Sequence, residues 1–175
     1  MPLTACEIDI SDHLVRQEVV KALQLNSNPP WLVLNTCQRL ECFGSSQHVL
    51  TDIPVRRRHD SVEAFERLAR IAAGLESRIL GELEVLGQVR TAYKTFQQSG
   101  GLHHTKLDRI FQDALSLARR ARKESGIDKN LISLSALAAR ELIERVPDTI
   151  PVAVIGAGSL AGGVARYLTK RGNSP

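Results

Sequence analysis

Two stretches of the chain carry residue types that could do chemistry. In the first, Cys37 stands between Thr36 and Arg39, just after the apolar run Trp31-Leu32-Val33-Leu34, which reads as a buried strand. A thiol at a strand end could act as a nucleophile. With an ordinary pKa of ~8.5 only a few per cent is thiolate at neutral pH, and a nearby guanidinium favours the anion. The competing reading is a buried free cysteine behaving as a small apolar residue, the commoner fate of such a thiol. In the second stretch, Val152-Ala153-Val154-Ile155 leads into Gly156-Ala157-Gly158-Ser159-Leu160-Ala161 and then a helical pattern to about Arg171. A buried strand, a GxGxxA turn and a helix open a dinucleotide-binding unit. The first glycine permits the tight turn, the second lets phosphate approach the backbone, and the helix N-terminus faces the anion. The competing reading is a glycine-rich strand-to-helix turn with no ligand.

The elements that must position these groups can be read along the chain. Leu3 to Ile10 alternates loosely and predicts a strand, and Ser11-Asp12 can cap a helix to about Leu25, which Asn26-Ser27-Asn28-Pro29-Pro30 stops. Leu40 to Phe43 is the hairpin or crossover neighbour of the Trp31 run, which leaves Asn35-Thr36-Cys37-Gln38-Arg39 at a strand end. Gly44 to Asp52 reads as a loop, and the basic Arg56-Arg57-Arg58-His59 after it has no readable period. From Ser61 the period turns helical. Val62, Phe65, Leu68, Ala69 and Ala72 mark one helix; Leu86, Val89, Tyr93 and Phe96 mark a second that ends at Gly100-Gly101. Leu107, Ile110, Phe111, Ala114, Ala118 and Ala121 form the stripe of a third, ended by Gly126, and a fourth runs from Ser133 to Val146 before Pro147.

Composition bounds the class. The chain has 175 residues, 43% hydrophobic and 24% charged, with net charge +4, which excludes disordered, collagen-like and membrane classes. The length allows one full domain, or one plus a fragment of a second. No apolar run reaches the ~18 residues of a membrane span, and Met1-Pro2-Leu3-Thr4-Ala5-Cys6 has no basic segment followed by an apolar one. Three cysteines, an odd number, point to free thiols in a reducing cytosol. No metal is expected, because Cys37 and Cys42 lack a second ligand pair at finger-like spacing. The positive charge is compatible with an RNA partner without requiring one.

Asn35-Thr36-Cys37-Gln38-Arg39-Leu40-Glu41 resembles the Ser-Thr-Cys-Asn-Arg-x-Glu signature of the glutamyl-tRNA reductase family. Gly74-Leu75-Glu76-Ser77-Arg78-Ile79-Leu80-Gly81-Glu82-Leu83-Glu84-Val85-Leu86-Gly87-Gln88-Val89 is similar to that family's Gly-Leu-Asp-Ser-x-x-Leu-Gly-Glu-Pro-Gln-Ile-Leu-Gly-Gln-Val. Arg109-Ile110-Phe111-Gln112, Ala121-Arg122-Lys123-Glu124-Ser125 and Ile132-Ser133-Leu134 continue the likeness in order, over roughly Trp31 to Arg171. The resemblance implies that Cys37 attacks the ester joining glutamate to tRNA and that the resulting thioester is reduced with NADPH to glutamate-1-semialdehyde, the first step of tetrapyrrole (porphyrin, heme) synthesis. It implies that Thr36, Gln38, Arg39, Ser77, Glu82, Leu83, Glu84 and Gln88 surround the glutamyl group, with Arg39 the partner of the substrate carboxylate. It also implies that Gly156, Ala157, Gly158, Ser159, Leu160 and Ala161 bind NADPH.

By resemblance the fold is an α+β N-terminal catalytic domain, a small sheet plus a helical cluster, over residues 1–147. Residues 148–175 would be the first strand, turn and helix of an α/β Rossmann domain. The implied partners are glutamyl-tRNA and the next enzyme of the pathway, glutamate-1-semialdehyde aminomutase; the family is homodimeric, and the expected location is the cytoplasm. Several positions depart from the family pattern. Arg67 stands where the family carries a histidine important for activity, and His59 is the nearest upstream histidine that could move a proton instead. Leu83 replaces a proline and Gln38 an asparagine, the N-terminal His-Lys-Thr-Ala-Pro segment is absent, and the span from Cys37 to Gly74 is short. Pro175 lies only 17 residues past Gly158, before the ribose-reading acidic residue expected ~20 residues on. These departures leave a second expectation open: an impaired homologue or fragment that binds tRNA through Arg56 to Arg58, with at most esterase activity.

Overall fold

The computed structural model describes residues 2–25, 29–45, 50, 53–127, 133–147 and 149–170. The helix stop at 26–28, most of the loop expected over 44–52, and Ile132 lie outside them. The chain divides into two compact units, Met1–Gly126 and Ile127–Pro175.

The first unit is built on an antiparallel sheet of β1 (Leu3–Ile8), β2 (Leu32–Asn35), β3 (Leu40–Ser45) and β4 (Val55–Asp60) in the order β2-β3-β1-β4. Leu3, Ala5, Leu32, Leu34 and Phe43 point to one face, and Cys6, Ile8, Val33, Leu40 and Cys42 to the other, and both sets are buried. Burial on both faces is why the β2 and β3 segments read as nearly continuous apolar runs rather than alternating ones. The second face is covered by Trp31 and by Leu23 of α1 (His13–Leu25). Asp12 starts that helix as expected: its Oδ1 accepts from the Leu14 and Val15 N–H groups, both at 2.9 Å. The basic stretch without a readable period is β4. Among the described residues it pairs only with β1, and it is almost wholly exposed; arginines on such an edge discourage pairing with another chain.

The first face is covered by α2 (Val62–Ala73), α3 (Leu83–Gln98) and α4 (Thr105–Ser125). Most of the predicted stripes are buried, with Leu68, Val89, Phe96, Leu107 and Phe111 in the core. Val62 at the start of α2 and Ala121 near the end of α4 are exposed, and on α4 Leu115 and Arg122 are buried instead. Phe96 and Phe111 meet edge to face, centroids 4.9 Å apart. Helix α2 ends in a Schellman motif at Gly74 (φ 80), the Gly74 N–H bonding to Ile71 O and the Leu75 N–H to Arg70 O.

The turn into α2 is strained. Ser61 has φ 53 and ψ −112 and is the only non-glycine residue with positive φ among the described residues. Such backbone costs a side-chain-bearing residue roughly 1–3 kcal/mol. The exposed Ser61 hydroxyl makes no capping bond that would be lost on substitution. Ser61→Gly is therefore expected to raise stability by about 1 kcal/mol after the extra chain entropy of glycine is subtracted. A urea midpoint at or below that of the parent would show that the turn is not strained.

The second unit holds α5 (Leu134–Arg145) and α6 (Ser159–Lys170). Ser133 caps α5, its Oγ accepting from Ala136 N at 3.2 Å. The two helices pack closely through Gly163, where an added Cβ would collide with the Ser135 side chain. Helix α5 belongs to this unit, so the compact-unit boundary falls upstream of residue 147. One sequence expectation is corrected here: Val152 to Ile155 is not a strand, and Val152, Val154 and Ile155 are exposed. A strand needs neighbours to satisfy its N–H and C=O groups, and this unit has no other strand among its described residues. No helix among the described residues is long and apolar enough to cross a membrane.

Candidate functional site

The turn from β2 to β3 is held by bonds from both sides. The Thr36 N–H donates to Arg39 O at 2.9 Å, and Thr36 Oγ1 accepts from the Gln38 and Arg39 N–H groups, both at 3.2 Å. Arg16 reaches over from α1. Its Nε donates to Asn35 Oδ1, and its Nη2 to the carbonyls of Thr36 and Arg39, each at 2.7 Å. Cys37 sits on this fixed turn and is exposed, whereas Cys6 and Cys42 are buried, facing each other across β1 and β3. The hydrogen bond with Cys6, together with burial, pushes the Cys42 thiol well up, so this thiol stays protonated. Of the two readings of Cys37, the buried apolar one does not apply.

Beside the turn lies a cleft of about 410 Å³, lined by Gln38, Arg39, Glu41, Arg67, Glu76 and Arg78 among others. Arg39 forms one wall. Its Nη2 donates to the Glu76 carbonyl, while its Nη1 is buried 3.7 Å from Glu41 Oε1 and has no hydrogen-bond partner among the described residues. Arg67 projects from α2 into a group of three carboxylates. It holds Glu41 in a fork, Nε to Oε2 at 3.0 Å and Nη2 to Oε1 at 2.9 Å, donates from Nη1 to Glu76 Oε2 at 3.2 Å, and stands 3.4 Å from Glu7 Oε1. The Glu41 hydrogen bonds raise the Arg67 pKa further. His59 is also engaged, its Nε2 lying 2.9 Å from Glu7 Oε1. A second cleft of about 400 Å³, with Arg57, Arg58, His59 and Arg70 on its walls, shares Arg67 and Glu76 with the first.

The residues expected around a substrate are only partly brought together. Gln38 and Arg39 line the larger cleft, Thr36 shapes the turn next to it, and Ser77 is half-buried between the lining residues Glu76 and Arg78. Glu82 is half-buried, Leu83 opens α3, and Glu84 and Gln88 are exposed on α3. Glu82, Glu84 and Gln88 line neither cleft. Sequence reasoning did not single out Arg16, Glu7, Glu41, Glu76 or Arg122, although Glu41, Glu76 and Arg122 lie within the signature blocks. The GxGxxA turn, in the other unit, has a glycine-specific backbone at Gly156 (φ 124) and nothing within 4 Å of where a Cβ on Gly158 would stand. Ala157 completes the exposed turn and Ser159, Leu160 and Ala161 open α6. That geometry leaves the backbone open to a phosphate; the strand that should precede it is not formed. Among the described residues no cluster of His, Cys, Asp or Glu side chains could hold a metal ion.

Comparison with known proteins adds independent findings. Residues 5–125 match the family model for the glutamyl-tRNA(Glu) reductase N-terminal domain. The chain is 34% identical to the glutamyl-tRNA reductase of Pyrobaculum aerophilum over 97% of its own length and 46% of that protein, and 38% identical to that of Thermus thermophilus over 74% and 36%. The solved glutamyl-tRNA reductase of Methanopyrus kandleri superimposes with a TM-score of 0.60 at 27% identity, covering 98% of this chain and 47% of that one. The chain thus spans less than half the length of these relatives.

Proposed function

The chain belongs to the glutamyl-tRNA reductase family through its N-terminal domain, and from that premise we propose that it takes the glutamyl group of glutamyl-tRNA onto Cys37. The thiolate attacks the ester carbonyl; an S–C bond forms, the C–O bond to the terminal ribose breaks, and the released ribose oxygen takes a proton. The observation that carries this reading is Arg39 Nη1, a buried N–H with no hydrogen-bond partner among the described residues, in a cleft beside the Cys37 turn. A substrate side-chain carboxylate entering the cleft would pair with the Arg39 guanidinium through a charge-assisted bond. Thr36, Gln38, Ser77, Glu82, Leu83, Glu84 and Gln88 are its proposed surroundings, of which Gln38 lines the cleft now and Thr36 and Ser77 adjoin it.

In the complete reaction the open backbone of Gly156, Ala157 and Gly158, with Ser159, Leu160 and Ala161 at the start of α6, would hold the diphosphate of NADPH once residues 152–155 join a sheet. NADPH supplies hydride, and a thioester accepts hydride better than an ester does. The product would be glutamate-1-semialdehyde, the first committed compound of tetrapyrrole synthesis, passed on to its aminomutase in the cytoplasm.

A second reading is favoured by Arg67. Gripped by three carboxylates, it is not free to move a proton as the family histidine would, and the β4 arginines are exposed toward solvent. On that reading the chain binds tRNA without turnover. One experiment separates the two: incubation with glutamyl-tRNA and, in parallel, glutaminyl-tRNA, following the ester that remains. Loss of the glutamyl ester, with the neutral glutaminyl ester near background, supports the first reading. Salt-sensitive tRNA binding with neither ester consumed supports the second.

A further inference from the structure

The segment between α2 and α3 carries Glu76, whose carbonyl accepts from Arg39 and whose carboxylate binds Arg67 and Arg70. Something must hold this segment still. Its neck closes where Gly81 N–H donates to Gly74 O at 2.9 Å, both glycines having left-handed backbone (φ 79 and 80). From α4, the 2% exposed Arg122 reaches into this neck. Its Nη1 donates to Ala73 O at 2.8 Å and to Glu82 O at 3.3 Å, and its Nη2 to Gly81 O at 2.8 Å. One planar fork thus ties the last carbonyl of α2 to the two residues before α3. The fit is close, because a Cβ on Gly74 would lie 2.9 Å from Gly81 Cα and 3.0 Å from Arg122 Nη1.

We propose that Arg122 is a positioning residue: by clamping the neck of the 74–82 loop it sets the Glu76 carbonyl against Arg39 and so holds the Arg39 guanidinium, one wall of the cleft, in place for a substrate carboxylate. This rests on the reading of Arg39 given above. Lysine keeps the charge but has no fork, so it cannot bridge carbonyls on both sides of the neck. Arg122→Lys is the test, with Gly74→Ala as a second way to open the same neck. Phe111→Leu serves as a control that loosens the core away from the loop.

Two readouts are taken. Amide exchange of residues 75–81 is expected to speed up on the order of tenfold in Arg122→Lys and Gly74→Ala relative to Phe111→Leu, as a local opening does. The preference for glutamyl-tRNA over glutaminyl-tRNA is expected to fall on the order of tenfold or more, since small misplacements of a positioning group have effects of that size. Unchanged loop exchange and preference in Arg122→Lys would overturn the proposal, as would equal losses in Phe111→Leu. A parent chain that does not distinguish the two esters would fault the reading of Arg39. The clamp is then judged by exchange alone: faster loop exchange confined to the neck variants supports it, and unchanged exchange overturns it.

Discussion

Arg67→Ala is expected to lower the stability of the first unit by about 3 kcal/mol, measured by urea unfolding at pH 7. Glu7 and Glu41 are register partners on β1 and β3, so two carboxylates stand opposite on one face of the sheet, an arrangement that is destabilising without a cation between them. Glu41 is only 2% exposed. Arg67 supplies that cation, with a bidentate bond to Glu41 and contacts to Glu7 and Glu76. Removing one partner of a buried pair costs ~3–5 kcal/mol because the other charge is left uncompensated. The low end applies because Arg39 Nη1 remains 3.7 Å from Glu41.

The pH dependence has a definite sign. Burial pushes the Glu7 carboxyl up, but the hydrogen bond to His59 and the charge of Arg67 outweigh it and leave the carboxyl below its ordinary value. A depressed carboxylate contributes stability above the unfolded range of ~4.3 and loses it as pH falls through the folded value. Without Arg67 that contribution shrinks, so the gap between parent and variant should narrow below about pH 4. A loss under about 1 kcal/mol that does not vary with pH would identify Arg67 as an ordinary solvated ion pair.

Cys37→Ser is expected to abolish formation of a glutamyl-enzyme while leaving the fold intact. A hydroxyl lacks the thiolate's nucleophilicity. The turn is fixed by the Thr36 side chain and by Arg16, neither of which depends on the sulfur. Cys42→Ala should keep the reaction, because that thiol is fully buried on the opposite face of the sheet from Glu7 and Glu41. Acylation of the serine variant at the parent's rate would remove Cys37 from the mechanism.

Much of the first unit was legible in the sequence because its signals are local. The Asp12 cap, the β2–β3 hairpin around Cys37, and the stripes of α2, α3 and α4 each follow from residues within one or two turns of one another. β4 was not legible, since Arg56, Arg57, Arg58 and His59 have no alternation. It is a strand because β1 offers it a ladder, not because its side chains prefer a sheet. Val152 to Ile155 failed in the opposite way, with strand-forming side chains and no ladder. The site divides along the same line. Cys37 and Arg39 stood out beside a strand end, and Arg67 stood out as a departure from the family pattern. Its partners Glu7 and Glu41 lie far from it in the chain and meet it only through the register of β1 and β3. Arg16 and Arg122 bind backbone carbonyls, which carry no side-chain pattern, so although Arg122 lies in a signature block its role became visible only in the fold.

The central claim, that Cys37 receives the glutamyl group, is tested most directly by mixing the chain with stoichiometric glutamyl-tRNA, quenching in acid and measuring intact mass followed by peptide mapping. A single glutamyl adduct on the peptide containing Cys37, absent in Cys37→Ser, is the predicted result. Unmodified protein that still binds the tRNA, or an adduct on Cys6 or Cys42, would contradict it.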